Sequence, residues 1–531
     1  MKQRNFFLFL SSISLLSVMG STVEHPNLLI IMTDQQRYDA IGIAQKYSFL
    51  ETPNIDKLAR EGAYFTHAYT QCAVSAPARA TILTGLTVNN HKQRNNDVKY
   101  SDSFEFTTNK SFDQILCDNG YYAEFHGKLH NPSRIASCYA NFEKLNLPNG
   151  VIEYSGEMDF REYHEHIKEK YGTIPFDNGD LFDGTLGMPY KPDPIDRFWG
   201  RSTNYKITEA ERKVRPLTQP DAHGMIYVND EDTYTAFQAK RAIDALKRAK
   251  KVGKPFSVTC SFHCPHAPML ASKKYHEMYD PKEMPIPASI SDDMKDSPYY
   301  KENGRLVLPQ YADSSKIGYM MNTYFGLISE VDYWVGEILK TLDEIGESEN
   351  TMVIFMSDHG EMLGSHGMRE KNVFFEESAR IPLIITFPGR INPTVVEGYV
   401  SNIDIYATIL DYMGVKDSQK TNSESLRGLI ERTDNEKGHV LVTEWNFRGP
   451  NEPNFMVIKD GWKLYIPYTK ESKVRNAMHN LNNDPNEMIN LLSPKWKNSY
   501  LNKAEELRSE LIKWLKINNP EFVKGVSERV L

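Results

Sequence analysis

Leu28-Leu29-Ile30-Ile31-Met32 runs without a polar residue and stops at Thr33-Asp34. A short continuous apolar run bounded by polar residues fits a strand buried on both faces. Met352-Val353-Ile354-Phe355-Met356 is a second such run, ending at Ser357-Asp358-His359-Gly360. Residues 255–262 form a third, ending at His263-Cys264-Pro265-His266, and residues 381–387 a fourth. Amphipathic helical stretches lie between them, notably 233–250 and 319–345. Strands alternating with helices predict an α/β fold, a sheet sandwiched by helices. Ligands of such sheets bind beyond the carboxyl ends of the strands. Asp34, His266, Asp358 and His359 all fall just after an apolar run. One Asp in that place is commonly a helix cap. Several strands ending in ligand-type residues are harder to explain that way.

The whole chain sets the frame. It has 531 residues, 40% of them hydrophobic, enough for a sizeable core, and its length suggests a large domain plus a smaller one. The net charge is −8 with no long basic run, which argues against a nucleic-acid binder. Residues 1–22 read as a secretory signal: Lys2 and Arg4, an apolar stretch over 6–18, then small residues at Gly20-Ser21. The stretch is too short for a membrane span, and no cysteine follows it for a lipid anchor. This predicts a periplasmic or secreted protein with no membrane span after signal removal. Five scattered cysteines do not make a disulfide scaffold; Cys260 and Cys264 lack a second Cys/His pair for zinc. The main domain is expected over 23–415. Residues 140–230, aromatic and Asp-rich without clear periodicity, read as an insertion over the sheet edge, a place for substrate contacts. A polar linker is expected at 416–422. A small C-terminal α+β domain over 423–531 follows, with a strand at 462–466 and a helix near 501–517.

Asp34, Asp358 and His359 offer hard oxygen ligands and one imidazole, a set that suits calcium or magnesium rather than zinc. A divalent cation beside basic residues has a natural partner in an anionic ester. Ser75-Ala76-Pro77-Ala78-Arg79 can supply the nucleophile. Pro77 fits the first turn of a helix, which places Ser75 at or just before its cap. Helix N-termini attract anions. Arg79 lies one turn on. Taken alone, these residues read as an ordinary serine cap. Lys128 and His130 share a face if extended, and Lys371 follows Asp358-His359 at loop distance.

These residues carry a resemblance. Ser75-Ala76-Pro77-Ala78-Arg79 with Leu83-Thr84-Gly85 is similar to the sulfatase signature. The other blocks follow in order: Asn27 to Gln36, Gly127-Lys128-Leu129-His130, Pro265-His266-Ala267-Pro268, Ser357-Asp358-His359-Gly360-Glu361, Lys371, Phe375-Glu376-Glu377-Ser378 and Arg380-Ile381-Pro382-Leu383. Over residues 25–415 the chain resembles a type I, formylglycine-dependent sulfatase of the alkaline-phosphatase-like superfamily.

The resemblance implies a large mixed sheet and a mechanism. Ser75 would be oxidised to formylglycine by a sulfatase-maturating enzyme of the bacterial, radical type. The aldehyde, hydrated to a diol, would keep a second hydroxyl whose deprotonation expels sulfate. Calcium would be held by position 75, Asp34, Asp358 and His359. Gln35 stands where many members have a second aspartate; its carbonyl can ligate with one less negative charge. Arg79 and Lys128 would stabilise the formylglycine and neighbouring charge. His130 would help the diol lose its proton. His266 would be the general acid on the leaving oxygen, with Lys371 holding sulfate and sharing that role; His263 is a lesser candidate. The expected substrate is a sulfated carbohydrate. The alternatives are a phosphate or phosphonate ester hydrolase using unmodified Ser75, and an inactive glycan-binding relative.

Overall fold

The computed structural model describes residues 25–96, 107–141, 154–157, 160–171, 182–184, 223–226, 228–267, 269–299, 314, 317–434, 440–446, 453–469 and 474–531. The leader expected at 1–22 and most of the 140–230 stretch lie outside them.

Asn27–Asp34 is the pivot of an eight-stranded sheet. It pairs in parallel with Thr351–Ser357 on one side and Phe256–Pro265 on the other. Tyr122–Pro132 runs parallel beyond the latter. The outer strands make the sheet mixed: Leu383–Thr386 is antiparallel to Thr351–Ser357, and Ala63–Phe65 is antiparallel to Leu383–Thr386. The central strand is buried throughout, and alternate residues enter two different cores. Leu28, Ile30 and Met32 pack with Ile82, Leu116 and Ile409 on one face. Leu29 and Ile31 pack with Ala242, Leu246 and Ile328 on the other. Helices on both faces explain why the run needs no polar residue. The helices foreseen at 233–250 and 319–345 are Tyr234–Val252, capped by Thr233, and Ile317–Glu344.

One sequence reading is corrected. The run at 381–387 is not one strand. Pro382 has no N–H for the ladder, and the chain divides around it. Arg380–Ile381 joins a small sheet with Ala68–Tyr69 and Val400–Ser401, and Leu383–Thr386 joins the large one. Residues 416–422, expected as a linker, carry no helix or strand and are held by side-chain bonds. Asp417 accepts from the Tyr406 hydroxyl at 2.6 Å. Asn422 accepts from the Thr87 N–H at 3.2 Å and donates to Asn518 at 2.8 Å.

Toward the C-terminus, four antiparallel strands, Leu441–Asn446, Pro453–Lys459, Trp462–Pro467 and Ala477–Asn480, form their own sheet. One face packs on the Lys497–Asn518 helix through Leu507, Leu511 and Leu515. The other packs on Tyr69, Phe374 and Phe375 of the larger unit. Among the described residues, no helix is long and apolar enough to cross a membrane.

Candidate active site

The parallel register brings the chemistry to one edge. Asp34 lies opposite Pro265, and Thr33 opposite Ser357, so Asp34, His266, Asp358 and His359 leave neighbouring strands together. Lys128 and His130 come from the same end of Tyr122–Pro132. Two glycines permit the close turns. Gly127 has φ +89°, and a side chain there would strike the Ser261 carbonyl. A side chain at Gly360 would strike the Glu377 carbonyl.

The helix Ser75–Thr84 enters from one side. Its N-cap is Val74, and Ser75 is the first helical residue, one position later than the sequence suggested. Pro77 still stands in the first turn, where its missing N–H costs nothing. Ser75 therefore does not cap its own helix. Its Oγ lies 2.8 Å from His359 Nε2. His359 Nδ1 faces the Gly360 carbonyl at 3.0 Å, so Nδ1 carries the proton and the Nε2 lone pair points into the site. Burial and Lys371 hold the His359 imidazole well below its usual range, hence neutral.

Arg79 spends its guanidinium on the two acids. Nη2 meets Asp34 Oδ2 at 3.0 Å and Nε meets Asp358 Oδ2 at 2.9 Å. Nη1 donates to Ser261 Oγ at 2.7 Å and to the Lys128 carbonyl. Lys128 Nζ reaches Asp34 Oδ2 at 2.8 Å. Burial alone would raise Asp34, but Lys128, His266 and Arg79 overcome it and hold the carboxyl well below the usual range. Burial and the Asp34 carboxylate push Asp358 up, to about 7. Two carboxyls this close cannot both keep their charge without further positive charge.

That conflict is the test of fit for a metal. Asp34, Asp358 and His359 each offer a ligand atom, and these atoms lie within 4.8 Å of one another. Asp34 Oδ1 is buried with no hydrogen-bond partner among the described residues. It lies 3.8 Å from His359 Nε2 and 3.9 Å from His266 Nε2. An orphaned carboxylate oxygen facing a neutral imidazole and a second acid fits a divalent cation.

Across the site, Lys371 Nζ lies 2.7 Å from His266 Nε2 and also donates to Gln35 Oε1. His266 Nδ1 faces the Ala267 carbonyl at 2.6 Å, so its Nε2 accepts from the lysine. Burial lowers Lys371; burial and Lys371 lower His266 well below its usual range. The two groups can share one proton. His130 is buried with a φ of +54°. Burial, Lys128 and Arg79 hold it neutral.

The family model for sulfatases matches residues 26–415. The chain belongs to the sulfatase family. A second model, for the C-terminal part of N-sulphoglucosamine sulphohydrolase, matches residues 364–516. An arylsulfatase of Clostridium perfringens is 27% identical, covering 94% of this chain and 96% of its own. An N-acetylglucosamine-6-O-sulfatase of Bacteroides thetaiotaomicron is 25% identical, covering 94% of this chain and 88% of its own. The phosphonate monoester hydrolase of Agrobacterium radiobacter superposes with a TM-score of 0.70 at 22% identity, over 92% of this chain and 96% of that one. That likeness shows the shared alkaline-phosphatase-like fold. The sulfatase is a sulfuric ester hydrolase with an acidic, histidine-containing metal site.

The sulfatase brings Asp34, Ser75, Arg79, Lys128, His266, Asp358, His359 and Lys371 into one cluster, buried throughout except at His266, which is partly exposed. Gln35 turns its amide oxygen to Lys371 and its amide nitrogen to Glu361, so in this arrangement the carbonyl is engaged by the lysine. His263 packs beside the His266 ring, centroids 4.9 Å apart, and its Nε2 faces the Ala267 carbonyl. Cys72 is buried, its thiol raised by burial, as befits a bystander. Two contributors went unassigned in the sequence. Ser261 accepts from Arg79 and donates to the Lys128 carbonyl at 2.8 Å. Glu361 grips the Lys371 loop by accepting from the Leu363 and Glu370 N–H groups. Glu361 lies within a matching block, which was its only signal; Ser261 lies inside a strand and gave none.

Proposed function

We propose that this sulfatase is exported and removes sulfate from a glycan, with Ser75 matured to formylglycine and calcium held by Asp34, Asp358 and His359. The carrying observation is the 2.8 Å contact of Ser75 Oγ with His359 Nε2. It sets the modifiable residue against the candidate metal ligands, with the Lys371–His266 pair in the same cluster. The similarity to an N-acetylglucosamine-6-O-sulfatase supports a sulfated sugar. The apolar leader at 1–22 supports export, and a serine at position 75 supports a bacterial maturating enzyme as partner. The bounds 23–415 and 423–531 are proposed for the catalytic and C-terminal domains.

Calcium would supply charge to polarise the ester oxygens and hold the nucleophile. Formylglycine in its hydrated form would supply a nucleophilic hydroxyl and a second hydroxyl for release, which serine lacks. The chain's own residues do the rest. Arg79 fixes both carboxylates, and Lys128 neutralises Asp34 while facing the anionic ester. His359 presents a lone pair because its Nδ1 proton is held by Gly360. The leaving alkoxide needs a proton; Lys371 passes one through the 2.7 Å contact to His266, which delivers it. Neutral His130 can accept a proton during sulfate release.

The test is peptide mass spectrometry at position 75 after expression with a maturating enzyme, followed by sulfate release from sulfated mono- and oligosaccharides. The expected outcome is a peptide lighter by two hydrogens and an enzyme that releases sulfate only in that form. Unmodified protein that hydrolyses phosphate or phosphonate esters, and no sulfate ester, would overturn the proposal.

A further inference from the structure

Five cysteines divide by position. Cys72, Cys260 and Cys264 are buried, whereas Cys117 and Cys138 are partly exposed. These two are also neighbours. Cys117 lies in the last turn of the helix Phe112–Asp118, and Cys138 ends the turn Ser133–Cys138 that follows the strand bearing Lys128 and His130. The Cys117 thiol lies 3.7 Å from the Cys138 carbonyl. The backbone around them is pinned from both sides. Gln114 Nε2 donates to Ser137 Oγ at 3.2 Å, and the Tyr139 hydroxyl donates to Asp113 at 2.6 Å. The Ala140 N–H bonds the Ala123 carbonyl at 2.8 Å. The helix itself is fixed at its start by a Ser111–Gln114 capping box.

The geometry points to a disulfide between Cys117 and Cys138 that closes on contact with a small-molecule disulfide oxidant. Ordered backbone on each side, and a Cys117 thiol already 3.7 Å from the Cys138 carbonyl, hold the two cysteines side by side, which is what a bridge needs. Either thiol can open the exchange; the steps are the same with the two exchanged, and with Cys117 first they are these. The Cys117 thiolate attacks one sulfur of oxidised glutathione, forming a mixed disulfide and expelling one glutathione thiolate, which takes up the Cys117 proton. Cys138 then loses its proton and attacks the Cys117 sulfur. The Cys117–glutathione bond breaks, the second glutathione leaves and is protonated, and the Cys117–Cys138 bond remains. Two electrons pass from the protein thiols to the oxidant. An exported protein meets such oxidants outside the reducing cytosol. The bridge would tie the helix to the chain leaving the strand of Lys128 and His130, so oxidation tethers that strand without touching the reacting groups.

The experiment equilibrates the full chain with glutathione buffers from fully reduced to fully oxidised, quenches with alkylating agent, and maps peptides without reduction. The expected result is a Cys117–Cys138 linked peptide that grows with oxidised glutathione, while Cys72, Cys260 and Cys264 remain alkylatable after unfolding. Its thermal midpoint rises on oxidation by a few degrees, roughly 2–5 °C, and this shift is lost in Cys117→Ser and in Cys138→Ser. Free, alkylatable Cys117 and Cys138 in excess oxidised glutathione overturn the inference, as does a terminal glutathione adduct on either. Because the readout is thiol status, it does not depend on which ester the enzyme cleaves.

Discussion

Two buried charge clusters sit at opposite ends of one loop, and they are satisfied to different degrees. At one end, Lys463 of the C-terminal sheet lies 2.9 Å from both Glu376 and Glu487. Glu376 also accepts from the Tyr69 hydroxyl at 2.8 Å, and Glu487 accepts from the Glu376 N–H at 2.7 Å and from the Tyr465 hydroxyl. No carboxylate oxygen there is left over. At the other end, around Ser75, Asp34 Oδ1 has no hydrogen-bond partner among the described residues, and Asp358 is pushed up to about 7. The first cluster is complete as the chain folds and joins two units. The second is incomplete and calls for a cation and a substrate anion. Buried polar groups are normally satisfied, so an unsatisfied cluster marks the working site.

The comparison can be broken most severely at Ser75. In Ser75→Ala, sulfate release should fall by about 10⁴-fold or more while the fold persists, as measured by turnover and by thermal melting. Turnover within tenfold of the parent enzyme would remove Ser75 from the centre. At the complete cluster the effect should land on stability instead. Lys463→Met leaves two carboxylates buried without their cation and should cost about 3–5 kcal/mol in denaturant unfolding. A cost below about 1 kcal/mol would mean the cluster is not the clamp described. Asp34→Asn should weaken calcium affinity by at least about 10–100-fold, read by calorimetric titration.

Glu330 sharpens the rule, because it too is incomplete yet lies elsewhere. One of its oxygens takes the Thr233 hydroxyl; the other is buried without a partner among the described residues. Burial raises this carboxyl from 4.5 to about 8. Between pH 4.5 and 8 the folded state therefore keeps a proton that the unfolded state has already lost. Stability from this group is full below pH 4.5, falls as pH rises, and is gone above about 8. Glu330→Gln should flatten that slope and stabilise the protein at pH 8 by roughly 1–2 kcal/mol, measured by unfolding across pH. An unchanged slope would show that the glutamate is ionised in the fold. Here the missing partner is answered by a proton rather than a metal.

The sequence revealed the sheet where burial was two-sided. Leu28 to Met32 needed no alternation because alternate residues enter two apolar cores. The same parallel strands carry Asp34, His266 and Asp358 to one edge, so those residues could be named from position alone. Three features needed coordinates. Pro382 divides an apolar run between two sheets, which hydrophobicity cannot show. Lys463 looks like a surface lysine in a strand, but its face is covered by another part of the chain. The amide of Gln35 could have faced a metal; instead its oxygen meets Lys371, a choice set by Glu361 on its other side.

The most direct test of the account is calcium removal and return on matured protein, with thermal midpoint and sulfate release followed in the same samples. Exhaustive chelation should lower both, and one range of added calcium should restore both. In Asp358→Asn neither should respond over that range. Sulfate release that survives chelation unchanged, with an unchanged melting midpoint, would contradict the claim that the unsatisfied acids at Ser75 are completed by a cation.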